Sequence, residues 1–509
     1  MERLKAITDA GFSPRRGSYG EVGERSVIKD CRIIKDVKVG PHAYIKGANK
    51  LKNITVLSSA REGTQIGEGV ELVNGIVGHG NRIFYGAKAV RFVTGRNVQL
   101  KYGARLLNSV LGDNSTVSCC ELLNNLIFPF HEQHHNNSFL IAATVMGQSN
   151  VAAGATIGSN HNSRAPDGEI IAGRGFWPGL CTDFKHNSRF ASFCLVAKGS
   201  YGHELDIGYP FSMVYLSGGD EAVRVMPAYW FVHNMYAMAR NSWKFKKRDL
   251  RASKVQHIEL DYLAPDTVQE MLAAMKRLDA LAAAAGRPPL FPVPDKDLPL
   301  DDPALMRRYG GKVEKPARAR ASYRDFCLHF GVKTLVDFLK ADAGTGLAAF
   351  MGGVEALKAE PFADRWINAG GQVIAADDLE SLKGDIKSGK IGSWAGVHAR
   401  YDEIFAAYPK RKARYALGVI EGLLGRDSSA IGADGWKALL GEIAGVSRGI
   451  LDAAVASRRK DFEDPFRKLT FESEAEMRAV LGKMENDPFL EDMAAQTAAF
   501  GGILSALCR

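Results

Sequence analysis

Aliphatic side chains recur at every sixth residue through the first part of this chain: Val39, Ile45, Leu51 and Leu57, then Ile66 and Leu72, Val77 and Ile83, Leu111 and Val117, and finally Val145, Val151 and Ile157. A glycine or alanine often follows, as in Val39-Gly40, Ile66-Gly67, Leu111-Gly112 and Val151-Ala152. Neither the 3.6-residue period of a helix nor the alternation of a strand gives a period of six. A triangular solenoid does. Each hexad forms one short flat side, its aliphatic residue points at the axis, and the small residue eases the corner. Three hexads close a coil of about 18 residues, and coils stack at about the 4.8 Å spacing of paired strands. Phase slips between the runs require insertions, which leave a solenoid as loops at a corner. The pattern predicts this architecture over Val22–Val225, behind an N-terminal cap of residues 1–21.

At 509 residues the chain exceeds what one hydrophobic core supports, so further domains are expected. Residues 226–300 read as capping helices and a linker. Met226–Arg251 would close the open end of the solenoid, where strand groups otherwise stay unpaired. A second helix starts at a cap, Asp266, with Val268, Leu272, Met275 and Leu278 on one face. Leu290–Pro303 holds four prolines and reads as an extended strap. Residues 301–509 read as an all-α domain. Its helices are expected at Tyr323–Ala341, Gly346–Ala359, Ile391–Tyr408, Arg411–Leu424 and Trp436–Ala456, then from Ser473, capped with Glu476, and from Pro488 to about Ser505. Trp394, His398 and Tyr401 share one helical face and read as a core aromatic cluster.

Composition narrows the function. No apolar run reaches the roughly 18 residues of a membrane span. The N-terminal MERLKAITDAGFSPRR lacks the apolar core of a signal peptide, and seven cysteines without CxxC spacing suggest neither disulfides nor a thiolate zinc site. A reducing cytoplasm is the expectation. The net charge of +9 gathers in Lys244–Arg251, Lys315–Arg320 and Lys410–Arg414. No nucleic-acid fold signature accompanies these clusters, so solvated helix faces, or attraction of a small anionic substrate, are preferred to nucleic acid.

Chemistry concentrates between Phe128 and His203. A His-Asn-Ser-like sequence recurs at His135-Asn136-Asn137-Ser138, His161-Asn162-Ser163 and His186-Asn187-Ser188, its histidines 26 and 25 residues apart. One coil plus a short loop would place all three at one corner, with Arg164, Arg174, Lys185 and Arg189 nearby. Three readings follow. The imidazoles and asparagines form a satisfied structural ladder. A histidine, first of all His161 and otherwise His186 or His135, is a general base while the cations and Asn162 and Asn187 hold substrate. Or the three imidazoles bind zinc. A catalytic corner must open to solvent or a cleft; a structural one may be buried with each ring nitrogen paired. Phe176-Trp177-Pro178 offers Trp177 as a stacking wall for a base or sugar, or an apolar plug. His131-Glu132-Gln133-His134-His135 matches HExxH, but its flanks are not helical, as a zincin requires. No P-loop and no Gly-x-Ser-x-Gly elbow is present.

The hexad runs, with IGEGVEL, VGHGNRI and VAAGATIGSNHNS, resemble the hexapeptide-repeat superfamily typified by UDP-N-acetylglucosamine acyltransferase. The stretch Pro129–Arg251 looks more specifically like a family of uncharacterised bacterial proteins of this fold. The resemblance implies a left-handed parallel β-helix followed here by helices, a homotrimer with sites between neighbouring solenoids, and a histidine base. It also implies acyl-coenzyme A or sugar-nucleotide substrates, hence acyl transfer to a sugar or sugar nucleotide. Carrying several histidines departs from that pattern. The Leu-x-x-Gly-x-Gly-Thr-Arg signature of fused nucleotidyltransferases is missing. The γ-class carbonic anhydrases share the three-histidine count but not the spacing, which leaves a zinc hydratase or hydrolase as the alternative. A non-catalytic trimeric scaffold whose helices recruit partners is the third.

Overall fold

A computed structural model describes residues 1–12, 20–158, 168–217 and 222–509. From residue 21 to 214, short parallel strands wind through about 11 turns of a three-sided solenoid. The hexad residues stack inward in columns. On side one, Leu51, Leu72, Ala89, Leu106, Leu122, Leu140 and Ile157 lie over one another. On side two, Leu111, Ile127, Val145, Ala172, Phe190 and Ile207 do so. Side three stacks Ile45, Ile66, Ile83, Leu100 and Val117. All of these are buried. Aromatic rings widen the late coils, with Phe176 against Phe190 at 4.8 Å.

The corners set the coil length. In one coil left-handed residues occur at Asp36, His42, Gly47 and Asn53, giving sides of six, five and six residues. Asn97 therefore bonds Asn114, 17 residues on, where the hexads predict 18. Where Asn53 meets Asn74 the step is 21, because the chain leaves the coil after Val56 and re-enters at Gln65. Left-handed backbone costs most L-residues about 1–2 kcal/mol, and asparagine least. Asn53, Asn74, Asn108 and Asn124 all take it at the corner between sides one and two. Their amides bond from coil to coil, Asn53 to Asn74 at 2.8 Å and Asn108 to Asn124 at 3.0 Å.

Parallel stacking stops at Met213–Leu216. The next strand, Val223–Met226, runs antiparallel, and Gly311–Val313 and Leu300–Asp302 add to the same sheet. The expected limit at Val225 thus falls in a return strand, and the end of the proline-rich strap is itself a strand. Both cover backbone groups that the last coil would leave open.

The helices are α1 (Glu2–Gly11), α2 (Tyr229–His233), α3 (Met235–Arg248), α4 (Pro265–Ala284), α5 (Pro316–Leu339), α6 (Leu347–Ala356), α7 (Ala376–Ser388), α8 (Trp394–Leu424), α9 (Ser428–Glu463), α10 (Pro465–Lys468), α11 (Glu474–Leu481) and α12 (Pro488–Leu507). α8 runs straight through Pro409, where two helices were expected. Tyr408 and Tyr415, on either side of the proline, both pack on Trp366, which offsets part of the cost of the lost hydrogen bond. A hairpin, Trp366–Ala369 with Gln372–Ala375, interrupts the helical half. α4 is capped through Thr267, whose hydroxyl meets the Ala264 backbone; Asp266 serves another purpose. None of the described helices is long and apolar enough to cross a membrane.

Candidate functional site

The recurring His-Asn-Ser sequence is first a way of turning corners. Asn137 and Asn187 are both left-handed. The buried serine after each donates to the carbonyl three residues back, Ser138 to His135 at 3.3 Å and Ser188 to Lys185 at 2.6 Å. Aligned on that turn, His135 matches Lys185, and His186 matches Asn136. The corners also differ. His135 lies between Glu132–Gln133 on side three and Phe139–Ile141 on side one, whereas His186 lies between Thr182–Phe184 on side one and Arg189–Phe190 on side two. The single three-histidine ladder expected from the spacing is therefore not built: the serine turn repeats at two corners, and it carries the histidines along. His161, Asn162 and Arg164 lie outside the described residues. Among the described residues no three His, Cys, Asp or Glu side chains gather in a metal-binding group.

His186 is the buried member. Its Nε2 is 2.9 Å from the Ile141 carbonyl. A carbonyl only accepts, so Nε2 carries the proton. Nδ1, also buried, has no partner among the described residues. The ring lies on Gly158, where an added Cβ would come within 1.6 Å of Cε1. Glycine there makes the room. His135 is exposed, its ring 4.4 Å from His134. His131 is a core residue, bonded to Ser149 at 2.8 Å and Gln133 at 3.2 Å, and burial pushes it down to about 4. The HExxH match runs through a strand, so its two histidines share no helical face.

The predicted cations separate. Arg174 is fully buried and spent: Nε and Nη2 meet Asp266 at 2.7 and 2.8 Å, and Nη1 reaches the carbonyls of Glu259 and Asp261. It fastens the solenoid to the start of α4 and is not available to substrate. Arg189 makes an exposed bidentate pair with Asp206 at 3.0 and 2.9 Å. Lys185 and Asn187 flank His186 in its corner. Phe176 is buried in the core, and Trp177 is half-buried and stacked on Trp230 at 5.7 Å. That pair lines a cavity of about 130 Å³ under α3, with Glu132, Asn241, Lys244 and Arg248. Burial and Arg248 push Lys244 down. The sequence placed Lys244 only in a basic cluster; its helical spacing from Asn241 and Arg248 was the available signal. Trp394, His398 and Tyr401 are not core. They line about 320 Å³ against His79 and Arg96 of the solenoid, because α8 turns that face to a corner.

In the coils before His186 the surface along this edge is apolar. The outward column on side two reads Ile76, Val93, Val110, Leu126, Thr144 and Ile171, its aliphatic members 39–44% exposed. Across the corner, Val73, Val90, Leu107, Leu123 and Ile141 form a half-buried column on side one. Between the two runs the asparagine ladder. Among monomer surfaces, contiguous apolar area of this kind marks contact with another surface.

The family described as Domain of unknown function (DUF4954) matches residues 1–282. The chain belongs to that family. The DUF4954 match takes in the solenoid, its capping helices and nearly all of α4. A Treponema pallidum (strain Nichols) protein described as "Uncharacterized protein" is 46% identical over 511 residues, covering 98% of this chain and 70% of that protein. The similarity of this DUF4954 chain to that relative thus continues through the helical half. Among solved structures, the UDP-N-acetylglucosamine acyltransferase of Francisella novicida aligns over 47% of this chain and 86% of its own, at 12% identity and a TM-score of 0.27.

Proposed function

We propose that this protein is a self-associating transferase of the hexapeptide-repeat kind that moves an acyl group onto a sugar or sugar nucleotide, with His186 as the base. One observation carries the reading: the Ile141 carbonyl holds the proton on Nε2, which leaves the lone pair on Nδ1, a buried atom with no partner among the described residues. A base so fixed can take a hydroxyl proton at Nδ1 while the Nε2–H bond supports the imidazolium that forms. Lys185 is placed to attract a phosphate-bearing substrate, and acyl-coenzyme A is the donor the reading calls for. The apolar edge beside the corner supports self-association, which would bring a neighbouring solenoid to the site.

A second reading rests on burial. His186 is 1% exposed, as a corner support would be. Transfer assays with an acyl-coenzyme A and sugar-nucleotide panel separate the two. His186→Gln keeps an N–H donor for Ile141 and should lower turnover by about 10²–10⁴-fold with little change in melting temperature. Full turnover with a lowered melting temperature makes the imidazole a support and removes it as the base.

A further inference from the structure

The helical half contains a cleft remote from the His186 corner. Segments of α3, α5, α9 and α12 enclose about 580 Å³, within the roughly 300–1,000 Å³ of small-molecule sites. Its walls are aromatic: Trp243, Tyr262, Phe330, Phe489 and Phe500. Two polar atoms of lining residues, the Ser242 hydroxyl and His329 Nδ1, are sealed from solvent and have no hydrogen-bond partner among the described residues. Their side chains are 6% and 9% exposed. Buried polar groups are nearly always paired, so two orphans lining one cleft call for an explanation. Burial and Lys333 push His329 down to about 4. At neutral pH it is therefore an uncharged ring able to give or take a hydrogen bond.

Lys246, Lys247, Lys333 and Lys412 line the cleft together with Asp261, Asp337 and Asp492. Lys246, Lys412 and Lys333 all lower Asp261. Lys246 bonds Asp261, Lys333 sits 2.9 Å from Asp337, and Lys412 lies 3.5 Å from Glu259. These carboxylates hold the ammonium groups in place without a phosphate. The complement of such a cleft has a flat ring for the aromatic walls, polar ring edges for Ser242 and His329, and an anionic tail for the lysines. An acyl chain would leave both buried polar atoms unpaired. Inorganic phosphate would leave the walls unused.

We propose that this cleft binds a nucleoside polyphosphate, with its base between the aromatic walls against Ser242 and His329 and its phosphates on Lys246 and Lys333. The site stands whether or not His186 is catalytic. Titration calorimetry of the full chain tests it with ATP, GTP and UTP, and with adenosine and pyrophosphate as fragments. We expect one nucleotide per chain, with pyrophosphate at least tenfold weaker. Lys246→Met with Lys333→Met should weaken binding by more than tenfold, and Ser242→Ala, which removes only the orphan hydroxyl, by about tenfold, with the melting temperature preserved in Ser242→Ala. No heat from any of the three nucleotides at millimolar concentration overturns the proposal. So does binding that neither variant moves, which places the ligand elsewhere, or pyrophosphate binding as tightly as ATP, which reduces the site to a bare phosphate patch.

Discussion

On side one of the solenoid the outward column farther from the asparagine corner reads Lys50, Glu71, Lys88, Arg105 and Glu121; on side two, one corner away, the outward column reads Ile76, Val93, Val110 and Leu126. Inward, the two sides carry the same aliphatic stack. The first exterior pairs opposite charges between coils, with Glu71–Lys88 at 3.7 Å and Arg105–Glu121 at 3.2 Å, as water-facing strands do. The second keeps apolar groups in water, at a cost of about 25 cal/mol per Å² that a covering surface would relieve. Only at its ends does side two become ionic, with Glu21–Lys38 at 3.1 Å and Arg189–Asp206 at 2.9 Å. The interior of a coil thus specifies the solenoid, and the exterior specifies what each side meets.

Charging side two should have the largest effect. Val93→Lys with Val110→Glu gives it an opposite-charge pair of the kind side one carries. We expect the particle, about three times 55.3 kDa if trimeric, to fall to the mass of one chain in light scattering. Lys88→Ala with Arg105→Ala on side one should leave the mass unchanged. An unmodified protein already of single-chain mass breaks the comparison, and side two is then merely apolar.

Two arginines sharpen it in energy. Arg174 and Arg189 each hold an aspartate bidentately, one sealed between solenoid and α4, the other on the surface of side two. Removing one partner of a buried pair costs about 3–5 kcal/mol because the remaining charge is stranded, whereas an exposed pair contributes about 0–1 kcal/mol. Urea denaturation should show Arg174→Ala far less stable than the parent protein and Arg189→Ala nearly unchanged. Equal losses would mean that Arg189 is covered in the assembled protein.

The smallest effect belongs to the corner that divides the sides. Asn108 is left-handed (φ 48°) and bonds Asn124 at 3.0 Å. Asn108→Ala loses the backbone preference and the side-chain bonds to Asn124 and Arg91, for about 1–2 kcal/mol in thermal unfolding. Asn108→Gly keeps the backbone preference and should lose less. An order of Gly below Ala would show that the side-chain ladder, not the turn, holds this edge.

How far these features could be read in advance depended on their range. Val39, Ile45, Leu51 and Ile66 announced the solenoid because its period is local, each coil repeating the demand of the one before. The small inward residues and the helix-capping Ser473, whose hydroxyl accepts the Glu476 N–H at 3.1 Å, are local in the same way. The histidine spacing misled because the serine turn that recurs with it serves any corner; chain distance alone does not say which corner a residue reaches once coils of 16, 17 and 18 residues alternate. Arg174 looked like a phosphate ligand until its partner, Asp266, arrived from 92 residues away. Trp394, His398 and Tyr401 had the spacing of a core stripe, and only the packing of α8 against His79 and Arg96 put them on a cavity wall. The sequence by itself determined the repeat, its corners and most helices, since these follow from nearest-neighbour sterics and periodic burial. Which carbonyl holds the His186 proton, which arginine is spent, and that Ser242 and His329 line one cleft were decided only by tertiary structure, because each joins residues that no local rule connects.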